Sequence, residues 1–244
     1  MNNYALIIGA KSDIAKAMAW QYAQKGYNLF LAARNSDSLK EDASDLSIRH
    51  KIDVIPCELD ILDYSHHENF LDNLEPFPEI IVCAAGYLGD QQKAEQDQNE
   101  ARLIMETNYN ACASLLNLTA KKLEDKGSGT IIGISSVAGD RGRMSNYFYG
   151  SAKGGFSDFL SGLRSRLAKK GIHVMTLKPG FVATKMTEGM DLPGLLTASP
   201  DEVAKAAIKG AERKANILYC KWFWRYIMTI IQLIPEFIFK KLKL

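Results

Sequence analysis

Tyr149 and Lys153 stand four residues apart, so both side chains fall on one face of a helix. There a lysine ammonium favours ionisation of a neighbouring phenol and equips the pair for proton donation. Ser135 and Ser136 precede them. The run Thr130-Ile131-Ile132-Gly133-Ile134 reads as a short buried strand, which delivers both hydroxyls to the carboxyl end of a sheet, where open α/β folds hold their ligands. Taken singly these residues are ordinary, since Tyr and Lys four apart occur by chance in many helices and paired serines often only turn the chain. Their order within one nucleotide-fold pattern carries the reading.

The elements that must position them follow in order along the chain. Tyr4 to Ile8 reads as a buried strand, and Gly9-Ala10-Lys11-Ser12-Asp13 turns it into a helix from Ile14 to about Lys25, with Ala15, Met18, Ala19 and Tyr22 at helical spacing and Gly26 as the stop. A strand, a tight turn and a helix amino terminus form an anion site, because free N–H groups and the helix dipole face the turn. Further strands are expected at Asn28–Ala33, Ile52–Cys57, Glu79–Cys83, Ile172–Lys178 and Asn216–Tyr219, and helices at Ser36–Arg49, Asp63–Leu74, Ala101–Leu123, from Tyr149 onward, and at Asp201–Arg213. The second strand ends at Arg34, where a ribose-reading group belongs. An acid there would accept from a 2′-hydroxyl, whereas Arg34 offers charge and donors to a 2′-phosphate and favours NADPH/NADP+ over NADH/NAD+. Lys11 either assists or is a solvated loop charge.

In this order the motifs resemble the short-chain dehydrogenase/reductase family, and the similarity runs from Tyr4 to Tyr219. The resemblance implies a Rossmann-like α/β fold, a doubly wound parallel sheet of seven strands in three αβα layers. The family's active-site serine lies thirteen residues before the tyrosine of a YxxxK step, which selects Ser136, Tyr149 and Lys153, and Glu106-Thr107-Asn108-Tyr109 places the fourth member at Asn108. It implies that Tyr149 donates a proton, Ser136 polarises the carbonyl, Lys153 binds the nicotinamide ribose, and Asn108 supports a proton route. Read locally, Asn108 is instead a helix asparagine bonded to nearby backbone. The cofactor contacts implied are Gly9, Lys11, Ser12, Asp13 and Ile14 in the turn, Arg34, Asp60 beside adenine, the loop Ala84-Ala85-Gly86, the pair Tyr149 and Lys153, and Pro179, Gly180, Val182 and Thr184 after the sixth strand. Asp60 has a rival role as a simple helix cap.

The sequence also departs from the family pattern. Of three turn glycines only Gly9 remains, with Asp13 and Ala15 at the other places, Ile8 for the common threonine, and Cys83-Ala84 where two asparagines are usual. A carboxylate near pyrophosphate repels it unless it caps a backbone N–H, so Asp13 is either a local cap in a working dinucleotide site or the mark of a site that has lost binding. That leaves a catalytically inactive nucleotide-binding or protein-interaction module as the alternative to an enzyme.

Composition bounds the rest. The chain has 244 residues, a net charge of +2 with both signs mixed, and four well-separated cysteines, which gives no case for a nucleic-acid partner and favours free thiols over disulfides. None of the four histidines has metal-ligand spacing with Cys or carboxylates, so no metal is expected. An opening Met-Asn-Asn-Tyr without a basic region points to a cytoplasmic body. We place one catalytic domain at 1–220 and a separate tail at 221–244. The stripe Phe156, Phe159, Leu160, Leu163 and Leu167 is either core or the seam of a homodimer or homotetramer, and Lys185 to Ser199 has the composition of a mobile apolar lid. Trp222, Phe223, Trp224 and Tyr226 open the tail and Lys240, Lys241 and Lys243 close it, for a net charge of +4. This fits peripheral contact with an anionic membrane at its inner face, against a tail packed on a subunit or roofing the active site. The tail and Asp13 also resemble the reductases that complete decaprenylphosphoryl ribose epimerisation by reducing a 2-keto sugar. That implies a lipid-linked carbonyl substrate in place of a free small molecule.

Overall fold

The computed structural model describes residues 3–242. β1 (Tyr4–Ile8) leads through the Gly9 turn into α1 (Asp13–Gln24), and β2 (Asn28–Ala33), α2 (Lys40–His50), β3 (Val54–Glu58) and α3 (His67–Asp72) complete the first half. β4 (Ile80–Cys83), the short α4 (Gln91–Ala94), α5 (Gln98–Met105), α6 (Ala111–Lys126), β5 (Gly129–Ile134), α7 (Tyr147–Leu167) and β6 (Ile172–Lys178) follow. The chain then forms β7 (Phe181–Val182), β8 (Thr197–Ala198), α8 (Pro200–Glu212), β9 (Ile217–Tyr219), α9 (Phe223–Leu233) and α10 (Glu236–Phe239).

The main sheet has seven parallel strands in the order β3-β2-β1-β4-β5-β6-β9. This is the Rossmann-like architecture expected. All five residues of β1 are buried, as an interior parallel strand covered on both faces requires. Alternation sorts them: Ala5 and Ile7 enter the layer of α1, α2 and α8, while Leu6 and Ile8 enter that of α3, α6 and α7. Between β1 and β4 the strand order reverses, which opens a crevice at their carboxyl ends.

Several boundaries differ from the sequence reading. The helices expected from Ser36 and from Asp63 each begin as a 3-10 turn, at Ser36–Leu39 and Tyr64–His66, before continuing as α2 and α3. The long helix expected from Ala101 is α5 and α6 joined by a π segment at Glu106–Asn110. β7 and β8 pair in a small second sheet that brackets the apolar lid segment. Phe156, Leu160, Leu163 and Leu167 lie in the core of their own chain, with Phe159 partly buried against it. All four cysteines are free.

The tail returns onto the body. Trp224 and Met228 of α9 are buried with Val137, and Phe181, Leu196 and Tyr219 pack around them. Arg141 holds the end of α9 by donating to the carbonyls of Ile231 (2.5 Å), Gln232 (3.2 Å) and Ile234 (2.6 Å), groups that a helix terminus leaves unpaired. It also pairs with Glu236 at 2.9 Å and lies 3.7 Å from the centroid of Phe239. Lys243 lies outside the described residues.

Candidate active site

The two serines after β5 have different tasks. Ser135 is buried, and its hydroxyl bonds the Lys153 carbonyl at 2.8 Å and Ser157 Oγ at 2.7 Å, tying the strand end to α7. Ser136 lines the crevice and accepts from Ala138 N at 3.1 Å, which leaves its own proton for a ligand. Tyr149 sits in the first turn of α7 and opens into the same crevice. Lys153, one turn on, is 3% exposed; its Nζ donates to Ile134 O at 3.1 Å and lies 5.8 Å from the Tyr149 ring centroid.

Asn108 is fully buried within the π segment. A π turn displaces one main-chain bond, and here the side chain takes it: Nδ2 donates to Ile104 O at 2.8 Å and to Tyr87 O at 2.5 Å, while Oδ1 accepts from Tyr87 N at 3.1 Å. A methyl group built on Gly86 would stand 3.1 Å from Asn108 Oδ1 and 3.4 Å from Lys153 Nζ, so the two side chains converge beside that glycine. Local backbone bonding and a place in the active site are thus compatible for Asn108.

The other half of the crevice begins at Gly9, whose φ of +78° suits glycine. A Cβ there would meet Ala85 N at 2.8 Å and Ala84 C at 2.9 Å, so this turn and the Ala84-Ala85-Gly86 loop lie in backbone contact. Ser12 caps α1 by accepting from Ala15 N at 3.3 Å. Asp13 is not a local cap: its Oδ2 accepts from Lys185 N at 2.8 Å, at the start of the lid segment. Lys11, Ile14, Pro179, Gly180, Val182 and Thr184 line the same space.

Arg34, Lys11, Asp60, Ala84, Ala85, Gly86 and Gly9 border a second lobe beyond the turn. Asp60 Oδ1 also accepts from Leu62 N at 3.0 Å in a turn, and Asp63, not Asp60, stands at the N-cap of the helical segment that follows. Lys11 Nζ donates to Arg34 O at 2.9 Å. Sequence reading missed Glu58, whose carboxylate accepts from Asn35 N (2.8 Å) and Ser36 N (2.7 Å). The N–H groups of Ser36 and Asn35 hold its pKa below the usual carboxylate range.

It also missed the wall opposite Lys153. Arg143, Asn146, Leu88, Phe181 and Trp224 line the crevice with Met186 and Met190 of the lid segment. Trp224 donates from Nε1 to Leu196 O at 3.2 Å, and its indole covers Gly180 so closely that a Cβ there would fall 2.0 Å from Nε1. A tail roofing the active site was one of the alternatives weighed from the sequence, and Trp224 is the side chain that brings the tail to the crevice. Among the described residues no group of three or more His, Cys, Asp or Glu is placed to hold a metal.

Residues 3–192 match the family model for short chain dehydrogenase. An uncharacterized oxidoreductase of Mycobacterium tuberculosis is 36% identical over 240 residues, covering 97% of this chain and 96% of that protein. One from Streptomyces coelicolor is 30% identical, covering 97% of this chain and 94% of that one. A solved short-chain dehydrogenase from Sphingobium yanoikuyae in complex with NADPH matches with a TM-score of 0.83 and 23% identity, over 96% of this chain and 97% of that one, a likeness of fold.

Proposed function

Since the chain belongs to the short-chain dehydrogenase family and is an oxidoreductase acting on CH–OH groups, we propose that it interconverts a carbonyl and a secondary alcohol with NADP(H). The observation that carries this reading is the convergence of Ser136, Tyr149 and Lys153 in one crevice with Lys11, Ser12 and Asp13 of the turn after β1, with buried Asn108 meeting Lys153 beside Gly86.

The residues present fit a dinucleotide. The Gly9 cradle has no room for a Cβ, the amino terminus of α1 faces the crevice, and the small side chains of Ala84, Ala85 and Gly86 allow close approach. Asp13, the residue in the turn that could repel a pyrophosphate, engages its carboxylate with Lys185 N, so an inactive module finds no support there. When bound, the cofactor supplies or receives the hydride. Tyr149 gives its hydroxyl proton to the carbonyl oxygen during reduction and takes it back during oxidation. Ser136 donates a hydrogen bond to the same oxygen and so stabilises the charge that develops there. Lys153 offsets the negative charge left on Tyr149 and would hold the nicotinamide ribose, with Asn108 beside it supporting proton resupply.

NADPH is preferred because Arg34 and Lys11 bring cationic side chains to the outer lobe, whereas Glu58 already occupies the backbone donors of Asn35 and Ser36. Arg34→Glu is expected to raise KM for NADPH by about tenfold or more while altering KM for NADH little, read from initial rates with each cofactor.

The finer reading is a keto-sugar or lipid-linked carbonyl substrate met at a membrane. It is supported by the outer face of the tail, where Trp222, Tyr226, Ile230, Leu233 and Phe237 are each more than 60% exposed with Arg225, Lys240 and Lys241 nearby. No described helix is long and apolar enough to cross a membrane, and the contact proposed is peripheral. The test is NADPH oxidation against keto-sugars and aliphatic ketones, with and without phosphatidylglycerol vesicles. Full-length protein should turn over a carbonyl and sediment with vesicles, and Ile230→Asp with Leu233→Asp should abolish sedimentation alone. Absence of NADPH binding and of turnover sinks the reductase reading, and protein that stays in the supernatant sinks the membrane reading.

A further inference from the structure

The loop from Ser136 to Tyr149 brings a cation, Arg143, to the crevice that Tyr149 opens into. Arg143 lines that space, yet among the described residues its Nε is buried without a hydrogen-bond partner, and its Nη2 donates to Met228 Sδ at 3.2 Å, a weak acceptor. The field of Asp140 reaches Arg143, but that carboxylate is committed to Lys178 Nζ at 2.5 Å and Tyr219 Oη at 2.9 Å. Burial accordingly holds the Arg143 pKa below its usual value. A partly desolvated guanidinium without a counter-ion is costly, and the cost is offset when an anion fills its fork.

The neighbours of Arg143 suit such an anion. Asn146, three residues on, also lines the crevice. Around them the wall is apolar, from Phe181, Met186, Met190 and Trp224, which strengthens a charge pair by excluding water. Asp13 is the sole carboxylate lining this crevice among the described residues, and it is bonded to Lys185 N. Nothing on this wall repels a negative group.

We infer that Arg143 is an oxyanion subsite, so that the substrate is a carbonyl compound carrying a phosphate ester or carboxylate. This rests on the reductase reading of the crevice. It adds a specificity determinant that the Ser136, Tyr149 and Lys153 set does not contain. Because α9 supplies Met228 beneath the guanidinium, the tail also shapes the subsite.

The test is calorimetric titration of the full-length protein, saturated with NADP+ so that the dinucleotide's own anion sites are filled. The probes are D-ribulose 5-phosphate, 2-keto-D-gluconate and uncharged D-ribulose. At least one anionic probe should bind about tenfold or more tightly than ribulose, as a charge-assisted hydrogen bond predicts, and which of the two does so separates phosphate from carboxylate. In Arg143→Met that ratio should fall to near one, and in Arg143→Lys part of it should persist. A ratio near one in the wild type, or a ratio unchanged in Arg143→Met, overturns the subsite. If NADP+ itself does not bind, the reductase reading has failed, and the same ratios measured without cofactor still decide the anion preference. Should Arg143→Met be unfolded by circular dichroism, Arg143→Gln, which keeps polarity without charge, takes its place.

Discussion

Tyr149→Phe binds NADPH as the wild type does and loses turnover by about a hundredfold to ten-thousandfold, the range that a positioned general acid contributes. The substitution removes one oxygen and keeps the ring, so the first turn of α7 and the contact of Lys153 with that ring 5.8 Å away persist. Substrate still meets the hydroxyl of Ser136, but no group supplies the proton as charge builds on the carbonyl oxygen. The loss should fall on kcat, because the missing interaction exists only in the transition state. Single-turnover rates with pre-bound NADPH, beside fluorescence titration of the cofactor, separate the two effects. Near-normal turnover with an intact fold would remove Tyr149 from the mechanism.

Gly9→Val is expected to abolish cofactor binding and to destabilise the fold by about 2–5 kcal/mol. Two costs combine at this position. The residue holds φ at +78°, which a β-branched side chain resists, and its Cβ would stand 2.8 Å from Ala85 N with no flexible side chain to yield. The backbone cannot retreat cheaply, since Gly9 N donates to Ala32 O and Ala84 N to Ile8 O, both at 2.9 Å. Gly26 is the internal control. It shares the φ of +78°, but a Cβ there has nothing within 4 Å, so Gly26→Val should incur the dihedral cost alone and leave NADPH titration unchanged. Urea denaturation of both variants with cofactor titration checks the pair, and equal behaviour of the two would refute close packing of the turn against the Ala84 loop.

The contrast between those glycines shows how the sequence could be read and where reading stopped. Both announced turns by their place after an apolar run or a helical stripe. The strand-turn-helix order marked the Gly9 turn as an anion site and Gly26 as a helix stop, and the tertiary contact adds that only Gly9 has no room for a Cβ. Asn108 behaves similarly: its position in a helix before the serine pair was legible, whereas the π segment around it depends on Tyr87, brought there from the loop after β4.

The sequence by itself determined the seven strands of the main sheet, though not the short β7 and β8, and the one-turn spacing of Tyr149 and Lys153, because periodicities of two and 3.6 residues are local properties of the backbone. It also determined that Ser136 leaves the end of a buried strand, and hence which edge of the sheet carries chemistry. The tertiary structure alone decided that Asp13 serves Lys185, which lies 172 positions away, and so does not cap its own turn. It likewise decided that Trp224 covers Gly180, that Glu58 fills the donors beside Arg34, and that Arg143 lines the crevice with its Nε unpartnered among the described residues. Each of these joins side chains from distant elements. Such pairings depend on how whole layers pack, since the free energy of a contact is set by what else competes for the same space and the same hydrogen bonds.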